Sequence, residues 1–117
     1  MNNISHYYNR LDILNETAQQ IIKDFGMNGI AIPRILSAGN TENAYRELFS
    51  QILLIVEKLE KENLQNFYNL MYSIDISEIQ IKKAVEDSKD KSFSEVVADL
   101  ILKRELLKVI FRKQYSK

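Results

Sequence analysis

One histidine, no cysteine and sixteen carboxylates are what this 117-residue chain has for acid–base, nucleophilic or metal chemistry. His6 stands beside Tyr7 with no second histidine to share a metal. The lack of Cys excludes disulfides, thiolate nucleophiles and every Cys-containing zinc or iron–sulfur site. No Glu-x-x-His pair occurs, so the di-iron pattern of carboxylate bundles is missing too. Glu57 with Glu60, and Glu86 with Asp87, are spaced as solvated helix edges with no base beside them. Gly26-x-x-Gly29 has the form of a nucleic-acid-clamping GxxG loop, but the strands such a loop needs are lacking, and a helix end followed by a turn accounts for it. These residue types imply no catalytic residue, no metal site and no cofactor.

The second concentration of chemistry is the basic end. Six of the sixteen Lys and Arg residues fall in the last fifteen positions, against the single acid Glu105. Since basic and acidic residues balance over the chain, no whole-molecule field draws it to nucleic acid or anionic lipid, and any charge argument is local. Cations in the last turns of a helix complement its dipole, which is the simpler account of the cluster. The alternative is a polyanion contact made by Arg112, Lys113 and Lys117 with Tyr115 as a stacking ring.

Helices must position these groups. With 45% apolar and 27% charged residues, three Gly and one Pro, the chain has the balance of an ordered helical domain. Its length suits a single domain spanning 1–117. Ile4, Tyr7, Tyr8, Leu11, Leu14, Ala18, Ile21, Ile22 and Phe25 recur at helical spacing, predicting one amphipathic helix from Ile4 to Phe25 with Gly26 as its left-handed cap. Residues 26–40 have no sustained period and read as a connector, with a helical turn at Pro33. Asn40 or Thr41 can cap a second helix whose stripe is Leu48, Ile52, Ile55, Val56 and Leu59. The stripe resumes at Leu64, Phe67, Tyr68 and Met71 but rotated, which predicts a break near Glu62-Asn63 with Asn63 as a cap. Tyr72 falls off that stripe, free to meet solvent or a partner. Asp75-x-x-Glu78 and Ser77-x-x-Gln80 are overlapping capping boxes for the next helix, and Ser92-x-x-Glu95 opens the last. No alternating run bounded by turns survives as a strand.

The last helix carries two apolar sides. Phe93, Val96, Val97, Leu100, Leu107, Phe111 and Tyr115 gather on one, and Leu102, Leu106 and Val109 on the other. Such a helix is sandwiched, either centrally in its own bundle or against a second subunit. Arg104 lies among the first set, where a guanidinium needs a carboxylate, several carbonyls or a route to water. Asp75 and Glu78 are the candidate partners. If such a pair exists, Arg104→Ala should cost on the order of 3 kcal/mol by stranding a carboxylate.

The segment Leu70-Met71-Tyr72-Ser73-Ile74-Asp75-Ile76-Ser77-Glu78, followed by Leu100-Ile101-Leu102-Lys103-Arg104-Glu105, resembles a group of small helical bacterial proteins. In that group a Tyr-x-Ile-Asp-hydrophobic-x-Glu stretch precedes an Arg-Glu pair on the last helix. The resemblance covers the C-terminal half, implies an all-helical fold, and brings no activity or functional residue with it.

The expectation is an all-α, single-domain bundle of about five helices with a long C-terminal helix. Its leading function is non-enzymatic contact with a protein partner or a second copy in a homodimer, through Leu102, Leu106 and Val109. Nucleic-acid binding by the basic helix is the alternative. A small-ligand carrier or enzyme with an interhelical pocket comes third. The longest apolar run, Ile52 to Val56, is too short to span a membrane, and the N-terminus has no signal-peptide pattern, so a cytoplasmic protein is expected.

Overall fold

The structure, a computed structural model, describes residues 5–32, 39 and 42–115. Five α-helices follow a short 3-10 turn at Ser5–Tyr7: α1 (Leu11–Met27), α2 (Ala44–Glu62), α3 (Leu64–Ser73), α4 (Glu78–Asp87) and α5 (Phe93–Tyr115). Among the described residues there is no strand. The cap expected at Asn40 or Thr41, the turn at Pro33, and Lys117 lie outside the described residues.

The first helix starts later than its apolar period suggests. Arg10 is extended (φ −91°, ψ 98°), and its guanidinium folds back onto Asp12 with Nε–Oδ1 and NH2–Oδ2 at 3.1 and 2.9 Å. Tyr8, ahead of that break, stacks on Tyr45 of α2 with ring centroids 4.0 Å apart. Tertiary packing therefore claims Tyr7 and Tyr8 without a continuous helix beneath them. At the other end the left-handed residue is Gly29 (φ 74°) and not Gly26. Ile30 N–H donates to Phe25 O at 2.9 Å and Gly29 N–H to Gly26 O at 3.0 Å, the paired bonds that close a helix when the residue after the C-cap turns left-handed. Both Phe25 and Ile30 are buried, so the turn also seals the core.

α2 and α3 are separated at Asn63, whose side chain accepts from Asn66 N–H at 3.1 Å. The same paired closure ends α3: Ile76 N–H reaches Met71 O at 2.9 Å and Asp75 N–H reaches Tyr72 O at 3.2 Å. Here the left-handed residue is Asp75 (φ 65°), one of the few non-glycine types that tolerate it. Asp75 is thus spent on ending α3. Ser77 starts α4, in a reciprocal box with Gln80 at 2.8 and 3.1 Å. Ser92 and Glu95 form the same box at the head of α5, again at 2.8 and 3.1 Å.

α5 is the axis of the fold, packed against α1, α2 and α4. Its buried side chains, Val97, Ala98, Ile101, Leu102, Leu106 and Val109 among them, meet Leu14, Ile21 and Phe25 of α1, Leu48 and Ile52 of α2, and Phe67 and Leu70 of α3 in one continuous core. The sandwich that its two apolar sides imply is made within the chain.

Candidate functional site

α1 presents Gln20 and Asp24 one turn apart, and α5 presents Glu105, Lys108 and Arg112 along the facing edge. Lys108 Nζ lies 2.7 Å from Asp24 Oδ2 and 3.1 Å from Glu105 Oε1. Gln20 Nε2 donates to Asp24 Oδ1 at 3.0 Å, and Arg112 NH1 donates to Gln20 Oε1 at 2.6 Å. The chain of contacts crosses the α1–α5 interface with Glu105, fully buried, at its inner end. Burial first, then the Asp24 carboxylate, push the Glu105 carboxyl up to about 8. Burial opposes ionisation of Asp24, but hydrogen bonds from Glu105 and Lys108 outweigh it and hold Asp24 below its ordinary range. Lys108 is likewise raised, its two carboxyl neighbours overcoming desolvation.

A second cluster ties the start of α2 to α5. Tyr45 donates its O–H to Asp99 Oδ1 at 2.7 Å, and Lys103 Nζ holds Asp99 Oδ2 at 2.7 Å. Burial, then Asp99, raise the Tyr45 phenol, which makes it a poor nucleophile or base and a good structural donor.

Arg104 stands over the end of α3, its Nε donating to Ile74 O and its NH2 to Asp75 Oδ2, both at 3.2 Å. Its side chain is 37% exposed and that of Asp75 79% exposed, so the contact is made largely in water. Glu78 is exposed in the first turn of α4 and takes no part in the contact. The fully buried ion pair on which a 3 kcal/mol cost rests is not what forms.

Leu102, Leu106 and Val109, the expected docking face, are each fully buried inside the single chain. The reason lies in α5's surroundings: α1, α2 and α4 all pack on it, and the other side is buried at Val96 and Val97 and exposed only toward the end of the helix, at Phe111 and Tyr115. The two described cations of the expected polyanion contact are also engaged. Arg112 is held by Gln20, and Lys113 lies 2.8 Å from Glu16 Oε2 on α1. Tyr115 is exposed.

The buried cluster escapes a reading of one helix at a time, because Glu105 and Lys108, spaced i,i+3, look like a weak surface pair. A signal was present: Glu105 has Leu102, Leu106 and Val109 at i−3, i+1 and i+4, an apolar frame for a carboxylate.

Two mostly apolar clefts open on the surface. One, of about 390 Å³, lies between the α1–α2 connection and α2, with Ile30, Ile55 and Leu59 as walls and Lys58, Glu62 and Asn66 at its mouth. The other, of about 770 Å³, lies among α3, α4 and α5, with Tyr68, Ile81, Val85 and Phe93 as walls and Glu78, Lys82 and Glu86 on its rim. Neither includes Glu105 or Tyr45. Among the described residues no three metal-ligating side chains converge, and no helix is long and apolar enough to cross a membrane. Comparison with protein-family models, curated proteins and solved structures gives no match.

Proposed function

We propose that the chain is a non-catalytic helical module that docks a partner protein along the edge formed by α3 and α4. The observation that carries this is the exposure of large apolar side chains on those two helices: Tyr72 is 86% and Ile79 79% exposed, with Tyr68 at the lip of the adjacent cleft. Tyr at a surface supplies contact area with a polar tip, the property that enriches it at protein interfaces. The cleft supplies concavity, and the alternating Glu78, Lys82 and Glu86 rim supplies orientation. Reaction chemistry has no comparable support, since the carboxyl and phenol whose protonation burial shifts most face the interior, away from both apolar clefts.

Site-specific photo-crosslinking in cells tests the proposal. A photo-reactive residue at position 72 or 79 should give a discrete protein adduct, and one at exposed Glu57 on α2 should not. Adducts of equal yield from all three positions, or none from 72 and 79, would end it.

A second reading rests on the smaller cleft, whose size falls within the range of small-molecule sites. Lys58 at its mouth forms no ion pair among the described residues, so an apolar carboxylate would complement it. A thermal-shift series with apolar carboxylates on wild type and Lys58→Gln measures it, and shifts that survive the substitution would contradict it.

A further inference from the structure

Glu105 is the most deeply buried charged side chain described, and it has no adequate donor. Lys108 Nζ is at ion-pair distance, 3.1 Å from Oε1, but neither carboxyl oxygen receives a well-aligned hydrogen bond. The same ammonium is closer to Asp24, at 2.7 Å. One positive charge is therefore divided between two carboxyl groups, and Glu105, the one with no exposed surface, would bear the desolvation penalty alone as a bare carboxylate. A neutral acid at Glu105 would remove the problem: Asp24, held by the same Lys108 ammonium, has lone pairs enough on its two oxygens to accept an O–H from Glu105 beside its bonds from Gln20 and Lys108.

We propose that α1 is latched onto α5 by a proton shared between Glu105 and Asp24, and that loss of this proton loosens the contact between the two helices. The buried side chains of α2, α3 and α4 are all apolar. The titratable groups that face Glu105 are thus Asp24 from α1 and Lys108 from its own helix, with Arg112 one turn further on and held by Gln20. Among the described residues Lys108 is the cation that acts on the Glu105 carboxyl, and its charge is already divided with Asp24.

The direction of titration agrees with the geometry. Glu105 is raised from 4.5 to about 8 on folding, so between those values the folded chain binds a proton that the unfolded chain has lost. Stability from this group is fully present below pH 4.5 and is lost as pH rises through about 8. Each pH unit inside that window lowers the folding equilibrium constant by up to about tenfold. The depressed Asp24 acts at the acid end, where its contribution falls as it protonates.

Hydrogen exchange on the whole chain, corrected for the pH dependence of intrinsic exchange and compared between pH 6 and pH 9, tests the latch. In wild type, protection at the amides of residues 20–25 should fall by about tenfold or more, while the α2–α3 junction keeps its protection. In Glu105→Gln, which keeps a neutral donor, protection at 20–25 should not depend on pH. Equal pH dependence in both proteins would overturn the proposal. Should Glu105→Gln fail to fold, side-chain carboxyl NMR of the wild type decides it. A glutamate titrating near pH 8, with Asp24 sensing the same midpoint, supports the latch, and every glutamate titrating in the ordinary range overturns it.

Discussion

Lys108 on the last helix and Asp24 on the first meet at 2.7 Å, Nζ to Oδ2, and join two elements 84 residues apart in sequence. The aspartate keeps only 12% of its side chain exposed, while the lysine stem is one-third in water. Replacing Lys108 with Ala leaves two carboxyl groups without their cation. The expected loss is about 2 kcal/mol in urea denaturation, below the full value for a buried pair because the lysine is partly solvated. Lys108→Ala with Asp24→Asn together should lose less than the two single changes combined.

At the end of α3 the expected order of stability is set by backbone and not by charge. Asp75 has φ 65°, which favours Gly over Ala by about 1 kcal/mol or more. Asp75→Ala should therefore destabilise while Asp75→Gly stays near wild type, since the bond to Arg104 that both remove is mostly exposed. Arg104→Ala should cost less than about 1 kcal/mol, and its coupling to Asp75 in a double-mutant cycle should be small. Thermal or urea unfolding of the wild type, the three single variants and the double mutant checks the order and the coupling.

The helix starts make a third case. Ser77→Ala and Ser92→Ala each remove a hydroxyl that accepts at 3.1 Å from the backbone three residues on, and each should cost about 1 kcal/mol. Circular dichroism melts should register both without a change in helix content at low temperature.

What was legible in the sequence was what depends on neighbours a few residues away. The caps at Asn63, Ser77 and Ser92 are local hydrogen-bond patterns; Asn63 and Ser92 fall where their residues predict, and of the two overlapping boxes before α4 the one at Ser77 forms while Asp75 is left-handed at the end of α3. The break at Arg10 was hidden, because Tyr7 and Tyr8 keep a helical spacing that packing on α2 satisfies without a helix. The two apolar sides of α5 were also visible, but a helical wheel carries no information on which side the rest of the chain covers. That depends on α1 and α2, whose contacts with α5 are long-range, and they enclose Leu102, Leu106 and Val109. Glu105 belongs to the same class: its partner Asp24 lies on the first helix, so its burial follows from the fold and not from its own turn.

The burial of that face gives a fourth prediction. Leu106 has no exposed surface and sits in the common core, so Leu106→Ala should lower the unfolding free energy by about 2–5 kcal/mol. Tyr72→Ser and Ile79→Ser, at exposed positions, should change it by no more than about 0.5 kcal/mol. Chemical denaturation separates the two groups.

The account turns on α5 being enclosed by its own chain, which frees the α3–α4 edge to be the surface that meets a partner. Unfolding of the purified wild type, followed across about a hundredfold range of protein concentration, tests this most directly. The account predicts a midpoint that does not move with concentration, since Leu102, Leu106 and Val109 are already covered in a single chain. A midpoint that climbs with concentration, abolished by Leu102→Glu but not by Ile79→Ser, would contradict it and place the subunit contact on the last helix.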